Sequence, residues 1–271
     1  MQWEHLVPSD FRKAVNETRL CILPTGSLER HGEHLPFGCD MIVAHTIACK
    51  AAEIEPAVVF PPYYIMQVHE AACFTGTVNY PQAFALEALR LLLESIAANG
   101  FRKILVVNGH GGNKHMLDYF AMSRVDELTE YIFYQTGIYG KLTQEEDNII
   151  KNVFGTNSGG HAGELETSLF MACCPGKVKL EYAQQKPVMP LKRFKHLWDN
   201  GVNNALWWYA DYPENVAGDA RLASEEKGRV VLDVYAKSLA RAIKTVKEDT
   251  EAVRLQTEFL KYVKNKGNYG G

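Results

Sequence analysis

Short apolar runs of strand length alternate along this chain with longer segments of helical period, and that order admits few folds. Successive strands joined by helices run parallel, because a helical crossover returns the chain to the same end of the sheet. Residues 19–24 read as a first strand, closed by Pro24 and Gly26, and Asp40 opens a helical stretch through Ile54. Residues 57–60 give a second strand ahead of Pro61 and Pro62. Leu86, Leu89, Leu93 and Ile96 recur at spacings of three and four, begin after Pro81 and stop at Asn99-Gly100, which predicts a helix between those punctuators. Residues 103–107 are a β-branched third strand and 131–134 a fourth, while 162–174 have helical character beyond a Gly-rich run at 155–163. Val231, Tyr235, Leu239, Ala242 and Val246 predict one long helix closing the chain. Residues 177–221, with Pro187, Pro190, Pro213 and the cluster Trp207-Trp208-Tyr209, show no assignable period, and the cluster reads as core or subunit interface. The expected class is a layered α/β fold with a mainly parallel central sheet.

The length of 271 residues suits one domain spanning 1–271, since no repeat or linker divides it. Lys+Arg 29 against Asp+Glu 32 leaves a net charge of −3, so no basic surplus exists to neutralise a nucleic acid or coat an anionic membrane. No apolar run approaches the ~20 residues that span a bilayer, and the N-terminus lacks a secretory pattern, so the expectation is a soluble, cytoplasmic protein. The six cysteines are dispersed without a CxxC pair and read as small buried hydrophobes.

Ligands of parallel sheets bind where strand-to-helix loops converge. Two such loops are unusual: residues 24–40 after the first strand and Asn108-Gly109-His110-Gly111-Gly112-Asn113 after the third, with a third candidate at 159–168. His31, His34, His110, His115 and His161 fall in or beside them. Glu29 and His31, two apart in an extended segment, point to the same side, and Asp40 can either cap its helix or fold back toward them. His110 could add a second imidazole. A mixed His/carboxylate set without cysteine suits zinc, manganese or iron(II) in an open, catalytic type of site. Asn108 and Asn113 read as loop-shaping residues.

Those loops resemble the creatininase (creatinine amidohydrolase) family, through residues 26–40, Asn108 to Asn113, and His161-Ala162-Gly163-Glu164-Leu165-Glu166-Thr167-Ser168, with a weaker match at 218–228. The resemblance implies a three-layer α/β/α sandwich, often in homo-oligomers, with two divalent metal ions that hydrolyse non-peptide or cyclic C–N bonds through a bridging hydroxide. It implies Glu29 as ligand of one metal, His31 of the other, Asp40 as bridge and His110 beside Glu29. The family's fifth ligand, a Glu in creatininase proper, falls at Gly112 here. Glu164 is taken to replace it, because at helical spacing His161 and Glu164 share a face while Glu166, the fallback, is turned about 200° from Glu164. Glu29, Asp40, Glu164 and a hydroxide then total −4, which neutralises two dications. His161 is expected either to pass a proton to the departing nitrogen or to support Glu164, and His34, Asn108, Asn113 and Glu166 to hold the ligands in place. Arg30 and Glu33 depart from the family's usual residues at the rim, and the tryptophans that creatininase proper carries at the equivalent of 140–160 are absent, so creatinine itself is not the expected substrate. The expected partner is a small amide; the rivals are a non-catalytic ligand-binding member and a peptidase of a modified peptide.

Overall fold

The computed structural model, which describes residues 1–155 and 159–265, is built on a four-stranded parallel sheet in the order β2-β1-β3-β4. The strands are β1 (Leu20–Thr25), β2 (Val58–Val59), β3 (Lys103–Asn108) and β4 (Ile132–Gly137). Part of the Gly-rich run, at 156–158, and the tail at 266–271 lie outside the described residues. The helices are α1 (Pro8–Thr18), α2 (Cys39–Ile54), α3 (Gln82–Ala98), α4 (Asn113–Ser123), α5 (Gln144–Phe154), α6 (Glu164–Cys173), α7 (Lys195–Trp198), α8 (Trp207–Asp211), α9 (Glu225–Glu248) and α10 (Glu251–Lys264).

The period-two alternation of the central strands sorts their side chains into two cores. Leu20, Ile22, Leu105 and Val107 pack with α2, α6 and α9 on one face; Cys21, Leu23, Ile104 and Val106 pack with α1, α3 and α4 on the other. Three layers result, and the strands are buried on both sides, which is why they read as near-continuous apolar runs. No helix among the described residues is long and apolar enough to cross a membrane.

From β1 the chain crosses to β2 on one side and then returns past β1 to β3 on the other. The switch therefore lies between β1 and β3, whose carboxyl ends stand level with Thr25 opposite Asn108. The loops leaving them diverge to opposite faces and open a crevice there.

The expected closing helix is interrupted. α9 stops at Glu248, Asp249 turns extended, and its side chain accepts the backbone N–H of Glu251 at the start of α10. The ammonium of Lys103 gathers the carbonyls of Val246, Lys247 and Asp249 at the end of α9, a contact across 143 or more residues that apolar spacing does not announce.

Candidate metal centre

The crevice is built by close approach. A Cβ at Gly26 would lie 2.3 Å from the backbone nitrogen of Met41, so only glycine lets the loop after β1 run against the first turn of α2. That contact sets Glu29 and His31 beside Asp40, and Ser27 Oγ donates to Asp40 Oδ2 at 2.6 Å. From the other side of the switch point, the loop after β3 brings in His110. Asn108 shapes it by accepting from the His110 N–H and donating to its carbonyl, and Asn113 braces Asn108. The loop-shaping reading of both asparagines thus matches their bonds.

Asp40 lies at the middle of the cluster. Its Oδ1 is 3.1 Å from His31 Nε2 and its Oδ2 is 3.0 Å from His110 Nδ1, so each oxygen faces a different imidazole. Glu29 Oε2 is 3.0 Å from the same His110 nitrogen. Glu166 Oε1 stands 3.7 Å from His31 Nε2 on the far side. Three groups here have ligand atoms within 4.8 Å of one another and could hold a metal ion: Glu29, Asp40 and His110; His31, Cys39 and Glu166; Glu29, His31 and His161. Glu29, His31, Asp40 and His110 are all buried.

Burial alone would keep these groups neutral, yet their mutual attraction wins. Burial opposes charge on His31, but Asp40 and Glu166 lift its pKa well above the usual value; Glu29 and Asp40 do the same for His110. Burial would raise the Asp40 carboxyl, and the two imidazoles hold it well below the usual range instead; Glu29 and Glu166 are lowered against burial by His110 and His31 respectively. In the metal-free protein, protons on two imidazoles supply the positive charge that five converging donors demand. A donor set that recruits protons so strongly in a buried site also fits dications.

The helical argument for Glu164 fails. Gly160 and Ala162 take positive φ (132° and 55°), so His161 lies outside α6, which begins only at Glu164. Counting by helical turns from His161 has no meaning, and Glu164 points away to an ion pair with Lys227 at 2.5 Å. Glu166 faces the cluster in its place, with Oε2 accepting the N–H of Ala162. His34 stands apart, its Nε2 against Thr167 Oγ1 at 3.1 Å and its Nδ1 buried without a partner, while burial holds its pKa low. The Cys39 thiol, read from sequence as mere core, also borders His31 and Glu166.

A cavity of about 810 Å³ opens onto the cluster, lined by Glu29, Glu70, His110, His161, Trp198 and Trp208 among others. The Trp207-Trp208 pair is therefore cavity wall, which corrects its reading as core or interface; Trp208 meets His161 edge-on at 5.5 Å. Indoles reach this site from 198–208 rather than from 140–160. Glu70, absent from the sequence reading, explains Gly112: a Cβ there would meet Glu70 Oε1 at 1.9 Å and His110 Nε2 at 2.6 Å. The carboxylate of Glu70 instead takes that space and sits 3.1 Å from His110 Nε2. Asn215, also missed, is wholly buried beside Glu29 and His161. Neither has a periodic or motif signal; only the turn-rich Tyr-Pro-Glu-Asn context hints at Asn215.

An α/β/α sandwich with imidazoles and carboxylates gathered at the switch point of a parallel sheet is a scaffold for metal-assisted hydrolysis. The creatininase (creatinine amidohydrolase) family profile matches residues 4–243, so the chain belongs to the creatininase family of hydrolases. It is 25% identical over 275 residues to the 3-dehydro-scyllo-inosose hydrolase of Thermotoga maritima, covering 93% of this chain and 86% of that protein. It is 24% identical over 241 residues to the creatinine amidohydrolase of Pseudomonas putida, covering 82% and 88%. A manganese form of creatininase shares the fold with a TM-score of 0.72 at 22% identity, covering 92% of this chain and 99% of that one, and a zinc–zinc form superposes equally well.

Proposed function

We propose that the chain is a two-metal amidohydrolase that cleaves a non-peptide or cyclic amide C–N bond in a small substrate. The observation that carries this reading is Asp40, whose two oxygens each face a different buried imidazole, the disposition of a carboxylate that bridges two cations. Glu29 and His110 complete one set, and His31 with Glu166 the other, with zinc or manganese as the metals. Glu29, Asp40 and Glu166 supply −3 against two dications, so one more anion balances the site. Two cations bound there supply an activated water at neutral pH and a polarised carbonyl.

The chain's own residues do the rest. His161 Nε2 is 3.1 Å from the carbonyl of Arg30, and because a carbonyl only accepts, Nε2 carries the hydrogen and Nδ1 keeps the basic lone pair. His161 lines the cavity, so Nδ1 can move a proton from the attacking water to the departing nitrogen. Glu70 accepts the Nε2 hydrogen of His110 and thereby commits Nδ1 to the cluster. The indoles of Trp198 and Trp208 give the substrate an apolar wall; the ring compounds for which the two named relatives are called fit such a surface. Metal analysis of the purified protein tests the proposal. Two cations per chain are expected, with Asp40→Ala losing both along with activity on a panel of formamides, cyclic ureides, ring ketones and short peptides. One or no cation in the native protein, or an Asp40→Ala variant that retains two, would overturn it.

A further inference from the structure

Asn215 joins the cavity wall to the cluster through bonds that leave its amide no freedom. It adopts a left-handed backbone with φ 52°, where glycine is at ease and asparagine is among the few side chains tolerated. Trp208 Nε1 can only donate, so the atom it meets at 2.5 Å is Asn215 Oδ1, and this fixes the amide's orientation. The two hydrogens of Nδ2 then go to the Arg30 carbonyl at 2.5 Å and to Glu29 Oε1 at 3.0 Å. His161 Nε2 also lies 3.1 Å away, but it already donates to the Arg30 carbonyl and cannot accept.

From this we infer that Asn215 is a positioning residue that makes the tryptophan wall and the metal-holding carboxylate of Glu29 one mechanical unit. Occupying Glu29 Oε1 leaves only Oε2 to face His110, so Asn215 sets Glu29 as a one-oxygen ligand. Holding the indole N–H fixes Trp208 over the cavity and edge-on to His161. A substrate that shifts Trp208 must move the amide, and with it the Glu29 carboxylate. The inference rests on the two-metal reading above and adds a link between cavity occupancy and metal grip.

Zinc titration of the metal-free protein against a competing chelator, followed also by intrinsic tryptophan emission, separates the possibilities. Asn215→Gly keeps the left-handed backbone and deletes the amide; Trp208→Phe keeps the ring and deletes only the indole N–H. Asn215→Gly is expected to weaken one zinc by about 10- to 100-fold, the range seen when a residue supporting a ligand is lost, and to leave the other within about twofold. Trp208→Phe weakens that same zinc by a smaller factor in the native background and has no further effect in Asn215→Gly, since the connecting amide is gone. The Trp208 part of the emission, isolated by difference from Trp208→Phe, shifts on zinc binding in the native protein and stays still in Asn215→Gly. Unchanged zinc affinity in Asn215→Gly, or additive effects of the two substitutions, would overturn the link. Should Asn215→Gly not fold, unchanged zinc affinity in Trp208→Phe alone would do so. A native protein that binds fewer than two zinc ions would instead count against the two-metal reading, and the remaining site would still report on Asn215.

Discussion

Glu164 and Glu166 sit two residues apart on the first turn of α6, and replacing each by glutamine separates a surface ion pair from a metal ligand. Glu164 pairs with Lys227 where the two side chains keep 13% and 31% of their exposure, so solvent screens the pair and its loss costs about 0.5–1 kcal/mol. Glu166→Gln retains an amide oxygen for the N–H of Ala162 but turns a charge-assisted bond into a neutral one, a loss of about 1 kcal/mol in the metal-free protein. At roughly 2–4 °C per kcal/mol for a chain of this size, both variants melt within about 4 °C of the native protein once metal is stripped. Stability therefore cannot tell them apart, and metal content can. After gel filtration and elemental analysis, Glu164→Gln is expected to hold two cations per chain and Glu166→Gln one, because only Glu166 faces His31. A cation lost from Glu164→Gln while Glu166→Gln keeps both would refute the reasoning, and two cations in both variants would remove Glu166 from the ligand set.

Gly112→Ala drives Glu70 away from His110, since the added Cβ would stand 1.9 Å from its carboxylate oxygen; zinc affinity at the His110 site is expected to fall by about 10- to 100-fold, measured by chelator competition. In chelated protein, His31 and His110 have raised pKa values, so their pairing stabilises fully below the ordinary imidazole value of ~6.5 and is lost as pH rises through the raised ones. Asp40 and Glu29 are lowered, so their contribution is present above ~4 and is lost as pH falls through the lowered values. Urea unfolding of the metal-free protein should thus show greatest stability at about pH 4.5–6.5; a steady gain from pH 6 to 9 would contradict the charged cluster. Lys103→Met leaves the last carbonyls of α9 without their cation and is expected to cost about 2 kcal/mol, a melting temperature lower by roughly 4–8 °C, with metal content unchanged.

The strands and the helices α2 and α3 were legible because burial on both faces writes itself as apolar runs, and a helical stripe ends visibly at Asn99-Gly100. Glu29, His31, Asp40 and His110 were legible as a group for a related reason: each lies within one loop or one helical turn of the end of β1 or β3, and register fixes those ends side by side. What escaped depends on contacts between distant segments. Apolar spacing runs on through Val246 and predicts a continuous helix, whereas the stop at Asp249 is drawn by Lys103 from a central strand. Glu164 looked correct because a helical phase was counted across Ala162, whose φ of 55° no periodicity shows. Glu70 and Asn215 belong to irregular segments, and Asn215 reaches Glu29 from 186 positions away.

The same distinction accounts for Gly112. A family carboxylate absent at one position invites a search for its replacement nearby in sequence, but space is the conserved quantity. The volume vacated beside His110 is filled by Glu70 from a loop that approaches from another direction, while the third carboxylate facing the two imidazoles comes from α6. Glu70 contacts the nitrogen of His110 that points away from Asp40, so it orients the imidazole, and Glu166 meets His31 on the side opposite. Two carboxylates from two loops thus divide the work that a single side chain at 112 would have had to do. Because Glu70 also forms part of the cavity lining, the division places one acidic group where it can select among substrates without giving up the charge that the cations require.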